Sequence, residues 1–273
     1  ESVSYLNIID YNSFLLKVLS LDKIMLLIRT DYVVHEKTLS TKDVKLKDNK
    51  IIDTNTNDSV LEFNPKLFKY FFSQNKMHAK RALRSFQIFD ANGDAVLKIY
   101  LKGNDINKFD SIEKEYSTDY NYELQLNADS DDLKVENILK NKKYKERYVY
   151  TADKNILREI LTNASKIAIP IQIQAIGKGT IQYHRGLIGK VIDFGPWINI
   201  IDKTFNLHAI EGHLKKVILN KYIQNSITFY SVDFYDKNGD QVLVISSIKN
   251  SNDNFNSIID KINNTAKPKG LVL

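Results

Sequence analysis

The sequence predicts an α+β protein made of two copies of one antiparallel β-sheet unit. A ten-residue segment that begins at Ser85 is echoed 146 residues later by a segment that begins at Ser231. Each copy contains alternating apolar residues, an Asn-Gly pair and a second apolar run. Alternation with period two indicates strands, and a repeat of this length has the size of an ordinary domain. We therefore expect a first repeat over residues 1–120 and a second over residues 121–273.

An Asn-Gly pair joins the two apolar runs of each echoed segment. The pairs are Asn92-Gly93 and Asn238-Gly239. Because Asn-Gly supplies the positive φ angles that a tight turn needs, two β-hairpins are predicted. Weaker echoes relate residues 32–35 to 182–184 and residues 64–68 to 202–205. We interpret them as equivalent positions in the two repeats.

Helices are predicted at fewer places. Apolar residues recur at helical spacing over 12–20 and 153–163, more weakly over 131–140, and in a short amphipathic segment at 255–262. Asp153 is the predicted N-cap of the second of these helices. The polar and acidic stretch 105–131 is interpreted as the end of the first repeat and its connector to the second. The aromatic cluster within residues 68–72 is predicted to pack in a core.

The composition excludes several classes of site. The chain has 39 basic and 33 acidic side chains, for a formal net charge of +6. Because acids alternate with the lysines, nucleic-acid binding is not predicted. The absence of cysteine excludes disulfides and thiolate metal sites, and it is consistent with a reducing compartment. The apolar runs fall far short of the ~20 residues that a membrane span needs, so no membrane insertion is expected.

Five segments carry a family resemblance: residues 29–37, 84–96, 179–184, 195–199 and 205–208. In sequence and in order they resemble signature stretches of the HemS-type family of haem-trafficking and haem-degrading proteins. The resemblance implies two similar halves, each a twisted antiparallel sheet with flanking helices. It also implies cytoplasmic handling of imported haem for iron utilisation, with haem as ligand or substrate. A haem importer or a downstream haem acceptor is the implied partner protein.

Haem is a flat apolar ring with two carboxylates, so its site needs apolar walls, cationic or hydroxyl partners and usually an iron ligand. The resemblance implies that Arg84 is the distal arginine and that Phe86 is its aromatic neighbour, on the same face of one strand. It matches a helical arginine of the family with Glu146 or Arg147, and further basic positions with Lys221 and Lys249. Strand spacing alone favours a different interpretation of Arg84, as a surface residue paired with an acid.

The iron ligand is left unassigned by the sequence. The family's axial histidine aligns with Leu133, which cannot ligate iron, and a family aromatic and a propionate-binding tyrosine align with Glu136 and Ser246. Three histidines in strand-like segments are interpreted as structural: His35, His184 and His208. His78, placed in a loop before Arg84, is the substitute ligand to consider.

Two functions remain open at this point. The first is haem binding, with the haem either carried or degraded. The second is a divergent, non-enzymatic family member that binds another planar or anionic ligand or a protein partner. The position held by Leu133 favours the second on mechanism, whereas Arg84 and Phe86 favour the first on ligand.

Overall fold

The fold repeats one order of elements twice along the chain. The computed structural model describes residues 2–79, 81–118, 146–151, 155–224, 227–248 and 252–265. The first series is β1 (Ser2–Leu6), α1 (Tyr11–Val18), β2 (Lys23–Arg29), β3 (Val33–Ser40), β4 (Val44–Lys47), β5 (Lys50–Asp53), β6 (Ser59–Phe63), β7 (Tyr70–His78), β8 (Arg81–Phe89), β9 (Ala95–Leu101) and α2 (Ile106–Tyr116). The second series is β10 (Glu146–Thr151), α3 (Ile156–Lys166), β11 (Ile171–Gly177), β12 (Thr180–Gly186), β13 (Val191–Phe194), β14 (Trp197–Ile201), β15 (Phe205–Ala209), β16 (Lys216–Gln224), β17 (Ile227–Tyr235), β18 (Gln241–Ser247) and α4 (Asn252–Thr265). The α+β class and the duplication are therefore confirmed.

Contacts divide the chain into two units, each of which includes a short piece of the other repeat's sequence. Unit 1 contains Glu1–Arg29, Glu36–Glu136 and Gly177–Gln182. Unit 2 contains Thr30–His35, Asn137–Ile176 and Tyr183–Leu273. The predicted boundary between the first and second repeats at residue 120 is a boundary in sequence, which these contact units do not test, so it stays a prediction.

The same strand order and register are found in both units. Unit 1 has five antiparallel strands in the order β1-β7-β8-β9-β2, and unit 2 has β10-β16-β17-β18-β11. Three-stranded meanders follow the same rule, β4-β5-β6 in unit 1 and β13-β14-β15 in unit 2. Ser85 lies opposite Tyr100, and Ser231 lies opposite Ser246. The offset of 146 residues seen in the sequence is thus an offset between equivalent positions in space.

The two predicted hairpins are β8–β9 and β17–β18, and an aspartate holds each turn. Asp90 Oδ1 accepts the backbone N–H groups of Asn92 at 2.9 Å and of Asp94 at 2.8 Å. The equivalent Asp236 Oδ1 makes the same pair of bonds, at 2.8 Å and 3.0 Å. The hairpins are confirmed, and both turns owe their shape to this aspartate as much as to Asn-Gly.

Positive φ is found at only one residue of each turn. Gly93 has φ 83° and Gly239 has φ 84°, whereas Asn92 and Asn238 keep negative φ. Each hairpin also has a register irregularity at its turn end. The expectation of positive φ at the asparagines is therefore wrong, because the loop is a longer one with a bulge rather than a two-residue turn.

Three predicted helices correspond to α1, α3 and α4. Asp10 caps α1, because its side chain accepts the backbone N–H groups of Asn12 and Ser13. This is the usual role of an aspartate at the N-cap position. Asn155 occupies the N-cap position of α3; the predicted N-cap Asp153 lies outside the described residues, as does the predicted helix at 131–140. No helix in the described part of the chain has the length and apolar character that crossing a bilayer requires.

Helix α2 was not expected, because residues 105–131 were interpreted as a connector. Its buried residues are Phe109 and Ile112, which are 0% and 5% exposed. Two apolar residues three positions apart are a weak helical pattern, and the remaining side chains of α2 are mostly polar. Packing of Phe109 on the sheet of unit 1 therefore stabilises a helix that the local sequence barely specifies.

One of the two weaker echoes is confirmed and the other is wrong. Residues 32–35 and 182–184 both belong to the third strand of a repeat or precede it directly. Asn64 caps the short 3-10 turn before β7, and the equivalent turn before β16 is Glu211–His213. Asp202 instead lies between β14 and β15, so residues 202–205 are not the counterpart of 64–68. In the predicted aromatic cluster, Tyr70 and Phe71 are buried as expected.

Candidate functional site

Strand β8 places Arg84 and Phe86 on the face of the unit 1 sheet that the helices cover. Phe86 is 1% exposed, and its ring stacks on Phe109 of α2 with 4.2 Å between ring centroids. Phe14 of α1 lies edge-on to it at 5.3 Å. Arg84 Nε donates to Asp110 Oδ1 of α2 at 3.0 Å. The shared face is confirmed, and Phe86 is a core residue of unit 1.

The Arg84 guanidinium is accessible but already paired. Its side chain is 22% exposed, and that of Asp110 is 47% exposed. This is the acid-paired surface arginine that strand spacing alone favours. An ion pair with this exposure contributes only about 0–1 kcal/mol. A ligand with a stronger hydrogen-bond acceptor can therefore replace Asp110 as the partner of Arg84 at little cost in free energy.

Unit 2 holds a related arrangement around Lys221. Tyr230 occupies the position equivalent to Arg84, and its Oη donates to Asp260 Oδ1 of α4 at 3.4 Å. Lys221 lies directly opposite Tyr230, with its ammonium 5.9 Å from the ring centroid. Burial raises the pKa of Tyr230 and the Asp260 carboxylate raises it further, while Lys221 opposes both. The ammonium can donate to a carboxylate, and the phenol, which keeps its proton, can do so in exchange for its long bond to Asp260.

The remaining predicted positions are described only in part. Arg147 lies in β10, with its backbone opposite Asn220, so it is a strand residue rather than the helical one that the resemblance implied. The side chain of Arg147 lies outside the described residues, as do Leu133, Glu136 and Lys249. Ser246 is 6% exposed and accepts a hydrogen bond from Gln172 Nε2 at 3.2 Å.

The five histidines do not gather at one site, although two of them share an aromatic neighbour. His78 is the exposed last residue of β7 and pairs with Arg81, so its predicted place in a loop is wrong. His35 and His184 pack on the ring of Phe205, at 4.9 Å and 3.9 Å between centroids. His208 Nδ1 lies 2.6 Å from Asn199 Oδ1. In the described ranges no group of three or more histidine, aspartate or glutamate residues could hold a metal ion.

A polar face that the sequence did not reveal lies on the other side of the unit 1 sheet. Ser85 and Gln87 are 1% and 7% exposed, although they alternate with core residues on β8. Gln87 Nε2 donates to Gln74 Oε1 and to Ser85 Oγ. Lys98 and Tyr100 on β9 lie directly opposite Gln87 and Ser85. Period-two alternation marks both faces of a strand, and it does not tell a buried polar face from a solvated one.

The equivalent face of unit 2 is polar as well, and its groups bond to one another. Ser231 and Asp233 are 5% and 2% exposed. Asn220 Nδ2 donates to Ser231 Oγ at 3.3 Å, and Ser231 Oγ donates to the Asp233 carboxylate at 3.3 Å. Gln172 accepts from Arg185 Nε at 2.7 Å on the neighbouring strand. Buried polar groups on this face are thus tied to each other.

Comparisons with known proteins agree with this duplicated fold. Residues 1–116 and 140–262 match the family model described as the haemin-degrading HemS.ChuX domain. The hemin transport protein HmuS of Yersinia pestis is 25% identical, with 74% of this chain and 68% of that protein covered. The hemin transport protein HemS of Yersinia enterocolitica is 22% identical, with 85% and 77% covered.

Solved structures show the same architecture. The heme degrading enzyme ChuS of Escherichia coli O157:H7 superposes with a TM-score of 0.81 at 19% identity, over 96% of this chain and 87% of that one. Holo-PhuS, a heme-binding protein from Pseudomonas aeruginosa, gives a TM-score of 0.76 at 16% identity, over 94% and 85%. With the family model matched across most of both repeats, the chain belongs to the HemS family.

Proposed function

We propose that this chain binds haem and carries or degrades imported haem in the cytoplasm, as part of iron utilisation. The observation that supports this most strongly is the family match, which runs through both repeats. The relatives are named as hemin transport, heme degrading and heme-binding proteins. A haem importer or a haem acceptor protein is the partner that such a role requires.

The chain's own residues supply recognisable parts of a haem site. Arg84 is the proposed distal residue. It would give up its hydrogen bond to Asp110 and donate instead to a group bound to the iron. Lys221 and Tyr230 are the proposed donors to a propionate, with Arg147 and Lys249 as further cations. Phe86 supports Arg84 from the core of unit 1 rather than as an exposed wall. Haem itself would supply the iron and the redox chemistry.

A second candidate is a divergent, non-enzymatic family member that binds another planar or anionic ligand or a protein partner. It is favoured by Leu133, which the resemblance aligns with the family's axial histidine and which cannot ligate iron. Without a protein ligand on iron, affinity would rest on burial of the macrocycle and on propionate contacts. Weaker binding and no porphyrin cleavage are then expected.

Titration of the purified protein with haemin, followed in the Soret region, tests the proposal. We expect a saturable shift with one haemin per chain. Asp110→Asn removes the competing acceptor of Arg84 and should strengthen binding, whereas Arg84→Gln should weaken it roughly tenfold, as loss of a charge-assisted hydrogen bond would. Lys45→Ala, at an exposed lysine of β4, is the matched control. Absence of any saturable shift would refute haem binding.

Addition of a reductant under oxygen then separates carriage from degradation. Loss of porphyrin absorbance with release of iron indicates an enzyme, and an unchanged spectrum indicates a carrier. Lys221→Ala should lower haemin affinity without changing the spectrum of the bound form, because Lys221 is proposed to meet a propionate rather than the iron. An altered iron spectrum in this variant would contradict that assignment.

A further inference from the structure

The face of the unit 1 sheet opposite to Phe86 carries three cationic or hydroxyl side chains on neighbouring strands. Lys98 and Tyr100 alternate on β9, so they lie on one face about 7 Å apart along the strand. Leu27 of β2 is directly opposite Lys98, and Arg29 follows it by two residues on the same face. We refer to Arg29, Lys98 and Tyr100 as the Lys98 cluster.

The two cations of the Lys98 cluster form no ion pair with a described residue. Within the part of the chain that the structure describes, the side chains of Arg29, Lys98 and Tyr100 make no hydrogen bond. Lys98 is half-buried, and its ammonium lies 5.8 Å from the ring centroid of Phe89. Burial lowers the pKa of Lys98, and the charge of Arg29 lowers it further. Lys98 is half-buried whereas Arg29 is exposed, and an anion between the two would offset both the desolvation of Lys98 and the repulsion from Arg29.

Tyr100 completes the cluster as a neutral donor. Burial raises its pKa, and the nearby Glu36 carboxylate raises it further, while Arg29 opposes this. The phenol therefore keeps its proton and can donate to an anion. Glu36 is the acidic group that acts on this cluster, and it acts on Tyr100 rather than on Lys98.

The second repeat shows that the fold does not need these cations. By register, Val244 stands at the position of Lys98, and Ser246 at that of Tyr100. Ile176 stands at the position of Arg29, because Gln174 opposes Val244 as Leu27 opposes Lys98. One backbone arrangement is thus built twice, once with two cations and once with two aliphatic residues.

We propose that the Lys98 cluster is a binding site for an anion that carries carboxylate or phosphate oxygens, separate from the proposed haem site. Lys98 and Arg29 provide the charge, Tyr100 donates a hydrogen bond, and the buried Gln87 amide lies directly opposite Lys98. The cost of holding two unpaired cations together is what ligand binding relieves. The site lies on the face of the sheet opposite to Arg84 and does not depend on haem binding.

Isothermal titration of the full chain with inorganic phosphate and with succinate tests the site and its ligand class. We expect one of the two to bind saturably, and its identity decides between phosphate and carboxylate. Lys98→Val with Arg29→Ile installs the residues of the second repeat and should weaken binding at least tenfold. Lys45→Ala with Lys47→Ala removes two exposed lysines from β4 and should change affinity less than twofold.

Nuclear magnetic resonance of the lysine ε-methylene groups gives an independent readout in the unmodified protein. The bound anion should raise the pKa of Lys98 and leave the ε-methylene signal of Lys45 where it is. The proposal is overturned if neither probe binds, or if the Lys45 and Lys47 variant loses as much affinity as the Lys98 and Arg29 variant. Loss of haemin binding in the Lys98 and Arg29 variant, with its thermal unfolding midpoint preserved, would also overturn a separate site.

Discussion

Replacement of Asp90 by alanine tests how the duplicated turns are stabilised. Asp90 is 6% exposed, and its Oδ1 accepts two backbone N–H groups, at 2.9 Å and 2.8 Å. A hydrogen bond to a charged acceptor contributes about 1.5–3 kcal/mol, and water can partly replace it where the turn is exposed. We therefore expect Asp90→Ala to lower the free energy of unfolding by about 2–3 kcal/mol. This is a large part of the ~5–15 kcal/mol that holds a typical native protein together.

Urea unfolding gives the magnitude, and the second repeat gives the matched control. Asp236 makes the same two bonds, at 2.8 Å and 3.0 Å, so Asp236→Ala should have the same effect on unit 2. Trp197 is the single tryptophan and lies in unit 2, so its fluorescence reports that unit, whereas circular dichroism reports both. Asp90→Asn keeps an acceptor without the charge and should lose roughly half as much as the alanine variant.

A loss below about 0.5 kcal/mol in Asp90→Ala would refute the reasoning, because that is the range of ordinary surface substitutions. Equal stability in Asp90→Asn and the unmodified protein would show that the charge of the acceptor is irrelevant, whereas equal losses in Asp90→Asn and Asp90→Ala would show that a neutral amide cannot replace the carboxylate.

Three further predictions follow from the packing and charge of unit 1, with one comparison in unit 2. Phe86→Ala should lower the free energy of unfolding by about 3–5 kcal/mol in urea, since Phe86 is fully buried against Phe109; a loss under 1 kcal/mol would mean that it is not a core residue. Gly179→Ala would place a Cβ 2.6 Å from Leu67 Cδ1 at a residue with φ +69°, whereas the Cβ of Gly195→Ala, at φ +57°, would meet nothing within 4 Å. Calorimetry should therefore show a larger drop in melting temperature for Gly179→Ala than for Gly195→Ala, and equal drops would contradict a steric role for Leu67. The pKa of Lys98 is lowered from 10.5, so the folded state binds this proton less tightly than the unfolded chain, and the resulting cost is present at neutral pH and is lost as pH rises towards 10.5. Lys98→Met should therefore raise the urea midpoint at pH 7 and lose this advantage near pH 10.5; an advantage independent of pH would contradict it.

The parts of the fold that the sequence predicted are those where local chemistry and global packing agree. In the segments around Ser85 and Ser231, apolar and polar residues alternate up to an Asp-x-Asn-Gly-Asp turn sequence, so the sequence predicts both the strands and the turn. Helix α2 was not, because its position depends on Phe109 stacking on Phe86, a contact between residues 23 apart in the chain. The sequence matches Asn64 with Asp202 because each precedes a phenylalanine within four residues. The order of the elements instead makes the turn at Glu211–His213 the counterpart of the turn that Asn64 caps.

The candidate site was predictable only where the family resemblance reached it. Arg84 was found in this way, and its pairing with Asp110 followed from strand spacing, although the partner could not be named because α2 was unknown. The Lys98 cluster gave no signal, since a lysine and a tyrosine on alternate strand positions look like any solvated face. Only the register between β8, β9 and β2 brings them together, and only the second repeat shows that they are dispensable for folding.

The short segments that each unit takes from the other repeat bear on how this chain can change over evolutionary time. Thr180–Gln182 pairs with β6 inside unit 1, so a gene cut after the first repeat would leave β6 with an open edge. Open strand edges invite pairing with other chains and aggregation. Loss of the second repeat would thus cost the first a strand partner, whereas exchange of side chains such as those at positions 98 and 244 leaves the strand pairing intact.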